Sequence, residues 1–321
     1  MQRLEFRAMG CQMLAVLDSD ESQARASLVQ VPMWFAEWEA SLSRFRDDSE
    51  LSALNRADGN PVQVSETMWQ VLEAAMRAAH KSDGLVAPTL LDAVRAAGYD
   101  RSFDSLAAST VSASTVAARP VGDWRAIERI AKIRTVRLPR GMRLDFGGVA
   151  KGWAADQAAR RLSAIAPALV DAGGDIAISA TTASGDAWPI AVADPFHADS
   201  DLDLLMVSHG GVATSGRDYR RWQRGGKWQH HIIDPRTGAP AETDVLTATV
   251  LAPTSVEAEV AAKTALILGS LEGLQWIEAR SELAGLLVLE EGQIVRSRRL
   301  DDYVWTVPIA SSENFVLPAW R

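Results

Sequence analysis

The chain has 321 residues, of which 47% are hydrophobic and 23% charged, and a formal net charge of −8. This is the composition of an ordinary globular protein, long enough for one large domain over 1–321 or for two subdomains, about 1–123 and about 124–321. An acidic balance disfavours nucleic acid as a partner, no apolar run approaches a bilayer span, and one cysteine, Cys11, allows no internal disulfide, so a cytoplasmic protein without membrane insertion is expected.

In chain order, "RLEFRAMGCQMLAVL" reads as two short strands around Gly10. From about Glu21 to Phe45 the spacing is helical, with Pro32 as either a kink or the true start. Trp34, Phe35 and Trp38 form a stripe in this segment that suits core packing better than a cofactor box. "SRFRDDSELSALNRADGNP" is a polar loop with a short helical piece. "SETMWQVLEAAMRAAHKSDG" and "APTLLDAVRAAGYD" are helices, each closed by a glycine. Residues 102–123 are rich in Ser, Ala and Thr and read as a mobile or irregular insertion. The first part, to about 123, is thus the more helical, and the remainder is rich in strands.

Two strands are expected in "TVRLPRGMRLDF", a glycine turn and helix in "GGVAKGWAADQAARRLSAIA", and strand, turn, strand in "PALVDAGGDIAISA". Further strands fall at "WPIAVAD", "LDLLMVSH" and "TDVLTATVLAP", and "LAGLLVLEEGQIVRS" is a hairpin. Between them "SVEAEVAAKTALILG" is a helix with a capping box at Thr254 and Glu257 and a stop at Gly269. Interleaved strands, helices and hairpins predict an α+β fold of mixed α/β layers.

Three stretches can carry chemistry. In "MRLDFGGVAKGWAAD" the double glycine precedes a helix start, where free N–H groups, the helix dipole and Lys151 can receive a phosphate. A tight turn with a surface lysine gives the same pattern. "HHIIDPRTGAP" brings His231 near Asp234, either a general base with its carboxylate or a structural histidine beside a capping Asp. "GVATSGRDYRRW" places Thr214, Ser215 and Gly216 in what reads as a small polar loop with Arg217 near, a ligand contact or a plain hairpin turn.

Taken in order, "AMGCQ", "SRFRDDSELSALN", "DGLVAPT", "LDFGGVAKGWAAD", "DAGGDI", "ATSGRDY" and "HHIIDPRTGAP" resemble the FAD:protein FMN transferases, the ApbE-type family, from about Arg3 to Gly269. The resemblance implies an ApbE-like flavin transferase fold that binds FAD in a cleft. It implies transfer of FMN to a Thr or Ser hydroxyl of an acceptor protein, with AMP leaving and Mg²⁺ in use. By motif, Met9 falls beside the flavin and Phe45 where an aromatic ring meets the isoalloxazine. Leu85, Val86 and Ala87 line the FAD site; Asp145, Lys151 and Ile233 contact FAD, and Thr214 is placed with them. His231, with Asp234, matches the candidate base, and the backbone of Gly148 matches a metal-holding position.

The chain departs from the family where the magnesium ligands should be. That helix reads Asp-Ala-x-x-Thr in the family, and the two ligand positions are Glu259 and Lys263 here. A glutamate can ligate Mg²⁺, whereas an ammonium cannot and can instead stand in the metal's place. The alternative is a plain i,i+4 pair, worth about 0.2–0.5 kcal/mol if exposed, but the apolar surroundings argue against plain exposure. Cys11 for Thr, Ala87 for Asp and Asp175 for Asn are further departures. They keep a second function in view, a flavin carrier or FAD-hydrolysing protein without flavinylation of a partner.

Overall fold

Alternation along the strands builds the scaffold. The structure is a computed structural model and describes residues 1–107, 121–224 and 226–306. Its main sheet comprises β1 (Gln2–Ala8), β2 (Cys11–Leu17), β3 (Ala168–Ala172), β4 (Asp175–Ile178), β5 (Gly210–Gly216), β6 (Val245–Ala252), β7 (Ala284–Leu289) and β8 (Ile294–Arg296). Neighbours pair antiparallel, and spatial order follows chain order throughout. The β1–β2 turn is Met9–Gly10, with φ of 48° and 69°, the left-handed pair that a two-residue hairpin needs. Met9 tolerates that conformation because its N–H reaches Glu39 Oε2 at 2.9 Å.

The helices are α1 (Ser22–Leu28), α2 (Val31–Leu42), α3 (Glu50–Arg56), α4 (Glu66–Lys81), α5 (Leu91–Ala96), α6 (Phe103–Ala107), α7 (Ala150–Leu162), α8 (Ser255–Leu268) and α9 (Ser270–Glu278). Met13, Ala15 and Leu17 of β2 pack with Phe35 and Trp38 of α2, Met68 of α4 and Trp153 of α7. Farther along the sheet, Val245 and Val250 of β6 pack with Ala262 and Leu266 of α8 and Ile277 of α9. Val16, Leu169, Val212 and Leu286 join a different cluster, with the hairpin Trp188–Ala193/Asp201–Val207. The sheet is therefore covered on both faces, helices on one and a hairpin on the other, and the architecture is α+β. No helix among the described residues is long and apolar enough to cross a membrane.

Several expectations are corrected. The Glu21–Phe45 pattern is two helices; Pro32 is the second residue of α2, so it marks a start and not a kink. Thr214, Ser215 and Gly216 belong to β5, not to a loop. The second strand expected in "GMRLDF" does not form. Its backbone groups are spoken for elsewhere: Asn55 both donates to Leu144 O at 2.9 Å and accepts from Leu144 N at 2.7 Å, and Asp145 N donates to Pro88 O at 2.8 Å. Of the insertion at 102–123, only 102–107 and 121–123 lie among the described residues, and α6 falls there.

Candidate functional site

The turn before α7 is held rigidly. Asp145 Oδ1 accepts the N–H of Gly147 at 2.6 Å, and Oδ2 meets Arg44 Nε at 2.7 Å, with both side chains largely buried. The Arg44 guanidinium lies 4.1 Å from the Phe45 ring centre and 4.6 Å from that of Tyr99. Asp145 is thus committed to the frame of the site, and the half-exposed Phe45 is propped by a cation and a second ring.

Beside this turn lies a cavity of about 300 Å³. Met9, Phe45, Leu85, Val86, Ala87 and Ile233 supply much of its wall, and Asp145, Gly148, Lys151, His231 and Lys263 complete the side toward α7 and α8. A second cavity, about 920 Å³, is lined by Thr214, Asp175 and Glu259 among others. The two share Gly10, Phe103, Gly147, Lys151, Arg220, His231 and Lys263, so they meet at a junction rich in positive charge. Thr214 therefore stands on the larger side, where its hydroxyl is 2.9 Å from that of Thr249.

Helices α7 and α8 form that junction by close approach. A Cβ on Gly152 would stand 2.8 Å from Val256 Cα and 2.9 Å from Ser255 O, so only glycine allows this seam. Across it, Asp156 accepts from Ser255 N at 2.8 Å and Val256 N at 3.1 Å and so caps the start of α8. Glu259, 2% exposed, accepts from Gly152 N at 3.0 Å through Oε2. Its Oε1 is 3.4 Å from Lys263 Nζ, which is also 3.5 Å from Gly147 O. Lys151 closes on the buried Asp175 of β4. Burial and the neighbouring Glu259 push the Asp175 carboxyl upward; burial also opposes the charge of Lys151, but Asp175 and Glu259 outweigh it and keep the ammonium.

The two adjacent histidines differ in what binds them. His230 has Nε2 3.1 Å from Ala241 O and Nδ1 accepting from Ile232 N at 3.3 Å, and burial holds it down to about 4. His231 lines both cavities, and its buried Nδ1 has no hydrogen-bond partner. Burial, then Arg220 and Lys263, hold it well below the ordinary histidine value, so it is a neutral imidazole near pH 7. The expected His231–Asp234 pair is not formed. Asp234 instead receives Arg236 N at 2.9 Å and Arg236 Nη2 at 2.8 Å, because the Asp-Pro-Arg-Thr-Gly turn folds its arginine back over the carboxylate. Asp234 lines neither cavity.

The family model described as the ApbE family matches residues 9–287. The chain belongs to the ApbE family. It is 35% identical over 267 residues to the FAD:protein FMN transferase of Treponema pallidum, covering 77% of this chain and 73% of that one. With the Salmonella typhimurium protein of the same name it shares 28% over 301 residues, 91% and 85% of the two chains. The crystal structure of the ApbE protein from Thermotoga maritima superposes with a TM-score of 0.83 at 24% identity, over 95% of this chain and 99% of that one, which shows the shared fold.

Magnesium does not fit the donor set of this ApbE chain. Where the resemblance places its ligands, one carboxylate oxygen of Glu259 and the Gly147 carbonyl already face an ammonium, and the other carboxylate oxygen holds a backbone N–H. The carbonyl that Lys263 meets is that of Gly147, one residue before the Gly148 expected to offer its own. Arg44, Tyr99 and Arg220 are site residues that no motif reading assigned, although Arg44 lies in "SRFRDD" and Arg220 just after "ATSGRDY". Arg220 Nη2 is 2.7 Å from Cys11 Sγ, a contact between positions 209 residues apart that local spacing cannot display.

Proposed function

We propose that this chain, working as one ApbE-like unit, is an FAD:protein FMN transferase that moves FMN from FAD to a Thr or Ser hydroxyl of an acceptor protein. Its family membership and the names of its relatives support the activity. They do not favour a carrier or a simple FAD hydrolase. The smaller cavity, walled by Met9, Leu85 and Val86, suits a flat ring system; the junction with Lys263 and Arg220 suits a diphosphate; the larger opening leaves room for an acceptor segment. A cytoplasmic setting accords with the single cysteine.

The observation that carries the mechanism is His231, a neutral imidazole that lines both cavities and whose Nδ1 is committed to no hydrogen bond in the resting protein. The acceptor hydroxyl gives its proton to this imidazole, its oxygen bonds to the flavin-side phosphorus, and the anhydride P–O bond breaks as AMP leaves. Lys263 and Arg220 offset the charge that gathers on the phosphate oxygens. AMP release from FAD, measured with and without acceptor, tests the assignment. His231→Gln is expected to retain FAD binding and to lower acceptor-dependent release by about 10²–10⁴-fold. Turnover equal to that of the natural chain ends the role given to His231.

A further inference from the structure

If these cavities hold FAD, as just proposed, the mismatch at the expected magnesium site bears on which cation serves the phosphates. Lys263 rises from α8, a helix whose neighbouring positions Val260, Ala262 and Leu266 are buried, so its stem is fixed on a packed element. Its side chain is 14% exposed and borders both cavities. An ammonium has three N–H donors, and the two oxygens it meets stand at 3.4 and 3.5 Å, long for charged hydrogen bonds. Lys151, by contrast, closes tightly on Asp175. A divalent ion on the Glu259 and Gly147 oxygens would share its position with a positive charge anchored to the helix.

We infer that Lys263 Nζ is itself the resident cation of the junction, donating to the phosphate oxygens in place of a divalent ion, and that transfer by this chain needs no added metal. The ammonium supplies one positive charge and directed donors, while Glu259 Oε2 keeps its hold on Gly152 and so fixes the turn of α8 that carries the lysine. A merely structural Glu–Lys pair would leave metal binding and metal response at this place unexplained in either form of the protein, whereas a substituted cation predicts that removing it creates a metal site.

Two measurements test this. The first is Mn²⁺ binding, read by electron paramagnetic resonance on the FAD-loaded protein. The natural chain is expected to bind Mn²⁺ no more tightly than free FAD does, and the double variant Glu259→Asp with Lys263→Thr at least about tenfold more tightly. The second is acceptor-dependent AMP release in EDTA and in Mg²⁺. Release by the natural chain is expected to change less than about twofold, and that of the double variant to fall at least about tenfold in EDTA. Tight stoichiometric Mn²⁺ binding by the natural chain, or loss of its activity in EDTA, overturns the inference. Absence of AMP release in every condition would instead refute the transferase reading, with the Mn²⁺ result still deciding the cation. Should the double variant fail to fold, Mn²⁺ binding to the natural chain alone decides between lysine and metal.

Discussion

Two lysines enter the junction from two helices, and their partners set them apart. Lys151, in the first turn of α7, spans to Asp175 on β4 and closes a buried pair between different elements. Lys263, deep in α8, faces Glu259 one turn away on its own helix across 3.4 Å. A cross-element pair ties helix to sheet and consumes the charge it carries. A loose pair along one helix leaves its ammonium available to a ligand. The motif suggests Lys151 as the phosphate contact, and the geometry shifts that emphasis toward Lys263.

Replacing each lysine alone and then with its partner breaks this comparison most severely. Lys263→Met takes away the ammonium facing the 2%-exposed Glu259, which keeps the Gly152 N–H and the nearby Lys151, and a loss of about 1–3 kcal/mol in urea unfolding is expected. Adding Glu259→Gln returns most of that stability, since the amide oxygen still accepts the Gly152 N–H, but leaves AMP release about a hundredfold down. The matching double change, Lys151→Met with Asp175→Asn, is expected to keep release within about tenfold of the natural chain. Equal losses from the two double variants would erase the distinction between the lysines.

A smaller effect concerns the cap that joins the same helices. Burial, against hydrogen bonds from Val256 and Ser255, pushes Asp156 up to about 6 from its ordinary 3.8. The folded state therefore holds a proton that the unfolded chain releases. Stability from this group is fully present below the unfolded value and is lost as pH rises through about 6. Asp156→Asn removes that dependence, so unfolding measured near both ends of the window should favour the variant at the higher pH, by about 1–3 kcal/mol relative to the lower. A difference between the two proteins that does not move with pH would show that the carboxyl titrates as in the unfolded chain. The smallest effect belongs to Asp234→Asn: with the carboxylate turned to Arg236, AMP release should stay within about twofold, far from the loss at His231. A loss as large as that at His231 would return Asp234 to the catalytic pair.

Where a feature is written within one turn or one hairpin, the sequence discloses it. The hairpin turn at Gly10, the N-cap in which Thr254 accepts the Glu257 N–H and the glycine entry to α7 all follow from local stereochemistry and stand in the structure. The Glu257 carboxylate, however, turns to the Thr254 hydroxyl and Lys81 and does not complete the capping box. Strand β5 is hidden because Gly, Ala, Thr and Ser carry little hydrophobic signal; pairing with β4 and β6 on its two sides makes it a strand. Helix α9 is missed because Gly269, which ends α8, also begins its successor, with φ of 85°. In the site, the motifs bring Met9, Phe45 and Leu85 to one wall, but the partner of Asp145 is Arg44, about a hundred residues earlier, and the partner of Asp234 is its own turn. Which side chain satisfies which is decided by packing between elements, and spacing along the chain carries no record of it.

The hold of Glu259 on Gly152 also offers a reporter. The Gly152 amide lies in the first turn of α7, where helix N–H groups lack partners of their own, and here a carboxylate from α8 shields it from solvent. Its deuterium exchange therefore times the separation of the two helices. Followed in the resting protein, with no flavin and no acceptor present, that single amide would show whether the junction stands preassembled before any ligand arrives.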